Sequence, residues 1–194
     1  MNLLQLLPLS KGKMDVLLEI YAETDYLRSI SKKLGINPSY AFILLHQLHD
    51  AQVLVQKKKG KEVEYSLNKN RDYNLLVNLL EEYHLEKVME KSKILKVLIN
   101  LVINNKELMD SCHHIYLFGS YVLGDYTEKS DMDILLVTEN RKLAGKTCRE
   151  ISVIVGKELN PLIYTSKKFR ADLAAGEPLL SSIVKNVKNR VVVK

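Results

Sequence analysis

Two carboxylates, Asp131 and Asp133, open an apolar run, Ile134-Leu135-Leu136-Val137, and a Gly119-Ser120 pair closes another, Ile115-Tyr116-Leu117-Phe118. Short apolar runs of this kind read as buried strands, so each polar motif lies at a strand edge. Residues i and i+2 of a strand face the same side, so Asp131 and Asp133 project together while Met132 and Ile134 face the core. Two carboxylates held that close repel unless a cation neutralises them. An oxygen-only pair suits Mg²⁺, with Mn²⁺ as its substitute, completed by substrate phosphates. Gly119 lets backbone approach a ligand closely, and Ser120 is placed to cap a following helix. A strand, a Gly-Ser turn and a helix start together can seat a triphosphate. A plain Gly-Ser turn and two solvated strand-end aspartates account equally well for either motif taken alone.

Taken together, the string is more specific. Apolar-Gly-Ser, ten intervening residues, then Asp-apolar-Asp-apolar resembles the polymerase-β-type nucleotidyltransferase superfamily. The subset it most resembles is the minimal nucleotidyltransferases of archaea and bacteria, with a second glycine at Gly124 and a Ser130-Asp131 pair. The resemblance covers roughly residues 85–190. It implies that Gly119, Ser120 and Ser130 contact the nucleotide, and that Asp131 and Asp133 are the catalytic, metal-holding pair for attack on an α-phosphate. Two departures stand out. Leu123 occupies a place that is usually basic. The strand expected at Asn160–Thr165, after a helix-like run Lys146–Glu158, lacks the family's third acidic residue, for which position 162 is the first choice. Glu158 is the nearest acid and precedes that strand. Nucleotide binding without transfer is the consequent expectation.

Composition sets the frame. With 194 residues the chain has room for one domain or two modest ones, and 46% apolar with 27% charged residues fits a globular protein. A net charge of +6 leans toward anionic partners such as nucleic acid or nucleotide. Cys112 and Cys148 alone give no disulfide framework and no zinc spacing, so a reducing cytoplasm is expected. His113-His114 reads as polar residues at a strand entry. No apolar run reaches membrane-spanning length. Met1–Leu9 lacks the charge order and cleavage site of a signal and reads as an arm or short helix.

Residues 14–67 give a clear order of elements. Met14–Tyr21 has helical apolar spacing, Asp25 precedes a second helix Tyr26–Leu34, and Gly35 ends it. Asn37 caps a third helix, with Pro38 at its first position and a stripe of Ala41, Leu44, Leu45 and Leu48. Val53-Leu54-Val55 starts a strand, Lys57-Lys58-Lys59-Gly60-Lys61 reads as a basic turn, and Val63, Tyr65 and Leu67 alternate in the return strand. This order resembles a winged helix-turn-helix of the ArsR/MarR type. The resemblance implies duplex DNA as a partner, with the third helix in the major groove and the wing on the backbone. Arg28, Lys32, Lys33, Lys57, Lys58, Lys59 and Lys61 are then phosphate contacts, and Ser39, Tyr40, His46 and Gln47 the base-reading set. No Lys or Arg lies between Leu34 and Gln56, while Phe42 and Ile43 put apolar bulk on the expected DNA face. Weak sequence readout, or a module turned to protein contact, follows from that.

The stretch from Asp72 to about Ile103 is largely helical in pattern, with a boundary near Lys69–Asp72 and dimerisation through its apolar surface as an alternative to core packing. A helix capped by Ser166 over Ser166–Ala174, a second opened by Gly176-Glu177-Pro178 and a short strand at Val191–Val193 complete the chain. The fold class expected is α+β: a winged helix-turn-helix domain (1–70), a helical linker (71–84) and a small mixed α/β nucleotidyltransferase-like domain (85–194). Three functions compete. They are a DNA-binding regulator with a nucleotide- and Mg²⁺-binding second domain, an active enzyme moving an NMP to an acceptor, and an interaction protein whose sites have lapsed.

Overall fold

The structure, a computed structural model, describes residues 9–69 and 72–194. The arm expected over Met1–Leu9 lies, except for Leu9, outside those residues, as does part of the boundary expected near Lys69–Asp72. The chain divides into two compact units between Tyr83 and His84. No helix among the described residues is long and apolar enough to cross a membrane.

The first unit begins with α1 (Lys11–Ala22), a short strand β1 (Asp25–Tyr26), α2 (Leu27–Leu34) and α3 (Pro38–Asp50). Asn37 caps α3 by accepting from Ser39 N, with Pro38 in the first turn, as expected. Gly35 closes α2 in the left-handed region at φ 64°, where a side chain is strained. Asp25 precedes α2 as expected, but the helix starts at Leu27 rather than Tyr26, because Asp25 and Tyr26 pair with the wing as β1. The hairpin is β2 (Leu54–Lys59) and β3 (Glu62–Leu67). Lys57, Lys58 and Lys59 are therefore strand residues, and only Gly60 and Lys61 turn the chain. The expected stripe of Ala41, Leu44, Leu45 and Leu48 is buried.

The run after Asp72 is helical as expected and forms two helices, α4 (Tyr73–Lys91), which crosses the divide between units, and α5 (Lys93–Asn104). Ser92 separates them because its hydroxyl accepts from Leu95 N and starts a new helix. Tyr21 and Tyr83 tie α1 to the middle of α4 through Glu81 and Asp15, at 2.6 and 2.9 Å.

The second unit is a four-stranded sheet in the order β6-β5-β4-β7. Its strands are β4 (Cys112–Phe118), β5 (Met132–Thr138), β6 (Leu159–Tyr164) and β7 (Arg190–Val192). β4 runs antiparallel to β5 and β7, whereas β5 and β6 are parallel and joined through α8 (Arg141–Val155). His113 and His114 lie within β4 rather than before it. α8 begins five residues earlier than its apolar pattern implies, because Asn140 caps it. Pro161 is tolerated in β6 because that strand is an edge. One sheet face (Ile115, Leu117, Met132, Ile134, Leu136) packs with α5, α6 (Lys106–Ser111) and α8. The other (Tyr116, Leu135, Val137, Tyr164) packs with Phe169 of α9 (Ser166–Ala174) and with Leu180 and Ile183 of α10 (Pro178–Lys185). The α9 cap is Thr165, not Ser166, which is the first helical residue.

Asp25 is the buried polar joint of the first unit, 5% exposed. Its carboxylate accepts from Tyr26 N, Ser29 Oγ and Lys33 Nζ at 2.8, 2.9 and 2.7 Å. Burial pushes this carboxyl up, but the Lys33 bond, with those from Tyr26 and Ser29, outweighs burial and holds it below the ordinary aspartate range. A depressed folded pKa adds stability above the unfolded-state value, and that stability is lost as pH falls through the folded value. Asp25→Asn should therefore flatten the acid limb of the stability–pH curve, measured by urea melts at neutral and acid pH. Asp25→Ala should cost about 1–3 kcal/mol at neutral pH.

Candidate functional site

The two chemistry-bearing motifs meet at one end of the sheet. β4 ends at Phe118, opposite Asp133 in the antiparallel register, and the chain turns through Gly119 into α7 (Ser120–Leu123). Gly119 has φ 80°, and a side chain there would strain the backbone. It would also collide: a Cβ on Gly119 would overlap Oδ2 of Asp133 and stand 3.2 Å from its carboxyl carbon. What approaches the bare Cα is thus the carboxylate of the chain's own Asp133. Ser120 does not cap a helix through its hydroxyl. It is the first residue of α7, Gly119 is the cap, and no side-chain cap bond forms. Its carbonyl accepts from Gly124 N and Asp125 N at 2.8 and 3.1 Å, tying the following loop back to the turn.

Asp131 lies just before β5, solvent-exposed, and Asp133 is half-buried within it, while Met132 and Ile134 are buried as the spacing requires. Burial pushes the Asp133 carboxyl above its ordinary range, and the charge of Asp131 adds to the push. Asn160 opposes it. That residue is level with Asp133 on the neighbouring parallel strand β6, and its Nδ2 makes a long bond of 3.4 Å to Asp131 Oδ2. This corrects the alignment that favoured position 162 for a third acid. Leu162 is level with Leu135, deeper along the same face, and packs on the Tyr116 core. The missed signal was the matching apolar-polar step at the two strand starts, Met132-Asp133 and Leu159-Asn160. Glu158 precedes β6; its carbonyl accepts from Met132 N.

Ser130 serves the loop as built. Its hydroxyl accepts from Thr127 N at 2.8 Å and lies 3.2 Å from Thr127 Oγ1. Lys157 Nζ bonds Glu128 O and braces the same loop. Among the described residues no group of three or more His, Cys, Asp or Glu could hold a metal. As donor chemistry, the oxygen-only pair of Asp131 and Asp133 fits one Mg²⁺ or Mn²⁺ whose remaining ligands come from a substrate.

In the first unit, Arg28, Lys32, Ser39, His46, Gln47, Lys57, Lys58 and Lys61 are exposed. Lys33 bonds Asp25 and Lys59 bonds Glu64 at 2.6 Å, so both cations already have an anionic partner. Lys57 is level with Glu64, and Lys59 with Glu62, so this face of the wing carries mixed charge rather than the purely basic one that the run of lysines suggests. Tyr40 leans on α1: a Cβ at Gly12 would stand 2.9 Å from its hydroxyl. His46 Nδ1 pairs with Asp50 Oδ2 at 2.8 Å, and Phe42 and Ile43 are half-exposed beside it.

Asp133 carries a built-in opposition between stability and binding. Its raised folded pKa means that the ionised carboxylate costs folded-state stability above that value, a cost absent below the unfolded pKa. Asp133→Asn should therefore melt at a higher temperature than wild type in metal-free buffer at neutral pH, yet lose Mn²⁺ binding by calorimetry. Gly119→Ala should lose both, since the added methyl meets the carboxylate; a variant with wild-type Mn²⁺ affinity would contradict this packing.

Comparison with known proteins bears on the family of the second unit. Residues 105–193 match the family described as the nucleotidyltransferase domain. A Methanocaldococcus jannaschii protein whose name proposes a protein adenylyltransferase is 30% identical over 82 residues, which is 42% of this chain and 80% of the relative. A Sulfolobus solfataricus structure described as a candidate nucleotidyltransferase aligns over 56% of this chain and 85% of its own, with 18% identity and a TM-score of 0.29. A Mycobacterium bovis homodimeric winged helix-turn-helix DNA-binding domain, described as a possible ArsR-family regulator, aligns over 36% of this chain at 14% identity and a TM-score of 0.34. This chain spans 65% of that domain, just under two thirds. The assignment rests on the sequence match across most of the Methanocaldococcus relative, and by it the chain belongs to the nucleotidyltransferase domain family.

Proposed function

We propose that the second unit binds a nucleoside triphosphate with one divalent cation, and that the first unit is a winged helix-turn-helix holding duplex DNA, so that the protein is a DNA-binding regulator with a nucleotide-responsive domain. The observation that carries the nucleotide half is Asp133 packed on Gly119 with Asp131 beside it. Asp131 and Asp133 would hold the cation, which when bound neutralises phosphate charge and polarises the α-phosphate. Gly119 and Ser120 would face the phosphates, and Ser130 would keep the loop between them closed. Asn160 is the reason transfer is expected to be weak. Where the family resemblance calls for a third carboxylate, this chain has a neutral amide that cannot take a proton from an acceptor. A working adenylyltransferase is the second reading, favoured by the intact Asp131 and Asp133 and by the name of the Methanocaldococcus relative.

The test separates these readings. Purified protein, labelled ATP and Mg²⁺ or Mn²⁺ should show binding that Asp131→Asn abolishes, with little label on any protein or nucleic acid of a cell lysate. Asn160→Asp should then raise transfer by about tenfold or more, within the range general-base catalysis supplies. Robust labelling by wild type would establish the enzyme instead.

Support for the DNA half is the order of elements and the exposed Arg28, Lys32, Lys57, Lys58 and Lys61. Removing one lysine that neutralises a phosphate should reduce the slope of log affinity against log salt by about 0.9. Lys57→Ala, Lys58→Ala and Lys61→Ala should each flatten that slope in duplex titrations. Lys59→Ala should change it least, because Lys59 is already held by Glu64. Slopes unchanged from wild type in all four variants would turn the module toward protein contact.

A further inference from the structure

The loop from Gly124 to Asp131 runs between the two halves of the candidate site. It leaves the turn by hydrogen bonds from Gly124 N and Asp125 N to Ser120 O, and it arrives at the carboxylates. Within it, Tyr126 is 39% exposed, an unusual place to leave an aromatic ring. Yet the ring is not loose. It lies parallel to Tyr121, with centroids 4.3 Å apart and planes 8° from parallel. Tyr121 is itself 4% exposed and is the neighbour of Ser120 in α7. One ring of the pair is thus fixed in the core beside the turn, and the other, stacked on it by one face, remains more than a third exposed. The loop beneath is pinned by the Thr127–Ser130 bond and by Lys157 on the Glu128 carbonyl.

We infer that the exposed ring of Tyr126 is the nucleobase platform of this site, a third ring added to the Tyr121–Tyr126 stack. The inference rests on the nucleotide reading above and specifies what that reading leaves open: which part of the chain holds the base. A nucleotide with phosphates on the Gly119-Ser120 turn and its α-phosphate at Asp131 and Asp133 lies alongside this loop. The exposed aromatic face there is already ordered, so stacking costs little rotamer freedom. Stacking recognises a π-face and not a hydrogen-bonding edge, and the larger purines gain more from it than pyrimidines. The ligand class is therefore a purine nucleoside triphosphate, with little discrimination between adenine and guanine from this contact.

The chain contains no tryptophan, so Tyr126→Trp creates a sole indole fluorophore at the proposed platform. Mg²⁺-ATP and Mg²⁺-GTP should quench it, and inorganic triphosphate with Mg²⁺, which can occupy the phosphate seat but has no base, should not. In calorimetry on the full chain, Tyr126→Ala should weaken ATP by about tenfold, the low end of the effect of removing one stacked base. It should leave inorganic triphosphate within about twofold, with Tyr126→Phe close to wild type on both. Equal ATP affinity in wild type and Tyr126→Ala would overturn the platform while leaving nucleotide binding intact. So would quenching by inorganic triphosphate as strong as that by ATP. Failure of wild type to bind either ligand would overturn the nucleotide reading and this inference with it. Should the alanine variant fail to fold, the fluorescence of Tyr126→Trp, which keeps an aromatic ring, decides alone.

Discussion

The candidate site is organised by one steric fact, the seating of the Asp133 carboxylate against the Cα of Gly119. That contact joins the end of β4 to the start of β5 through the two residues that chemistry needs side by side. It also fixes what each neighbour can be. Gly119 can carry no side chain, both because its φ is positive and because the carboxylate fills the space. Asp133 stands level with Phe118 and Asn160 on the two neighbouring strands. Asp131, one residue outside the strand and exposed, is the adaptable member of the pair. A cleft built this way holds one carboxylate rigid and lets the other adjust, which suits a cation arriving with its own phosphate ligands.

Much of this was readable in the sequence because it depends on short-range rules. Alternation in a strand put Met132 and Ile134 inside and the aspartates outside. Asn37-Pro38 announced the start of α3, and Gly35 the end of α2. Several features depended on partners distant in sequence, and those escaped. Asn160 has no meaning until β6 is known to lie parallel to β5 in a register that sets it beside Asp133. The wing lysines looked like a basic turn because Glu62 and Glu64 come afterwards, and only the hairpin register brings them across from Lys59 and Lys57. Caps were a third kind of miss. Ser120 and Ser166 are good capping residues by type, but Gly119 and Thr165 precede them and take the position. Residue preference identifies candidates for a cap, whereas backbone geometry chooses between adjacent ones.

The two units make different uses of charge. In the first, cations are distributed over α2 and the wing, and two of them are tied down by Asp25 and Glu64. What is left is a modest positive surface around a third helix whose exposed face is Phe42, Ile43 and a His46–Asp50 pair. Such a surface can hold a phosphate backbone but offers few side chains that tell one base pair from another. In the second unit, one carboxylate stands out: Asp133 is half-buried, and burial together with the charge of the exposed Asp131 raises its carboxyl above the ordinary range.

Asn160 connects these electrostatic arguments to catalysis. A carboxylate in its place would put three anions at the sheet end, with Asp133 already raised by burial and by Asp131. Every added anion makes the metal-free state less stable and the metal-loaded state more so. An amide keeps the size of that side chain without the charge and exchanges one acceptor oxygen for an NH₂ donor. The two carboxylates of Asp131 and Asp133 would balance the charge of one divalent ion. Transfer needs something further, a group that accepts the proton of the attacking hydroxyl. On the proposed reading, an amide at Asn160 would separate binding from transfer, since it leaves the pairing of β5 with β6 and the Gly119 contact as they are and removes only the group that could take the proton.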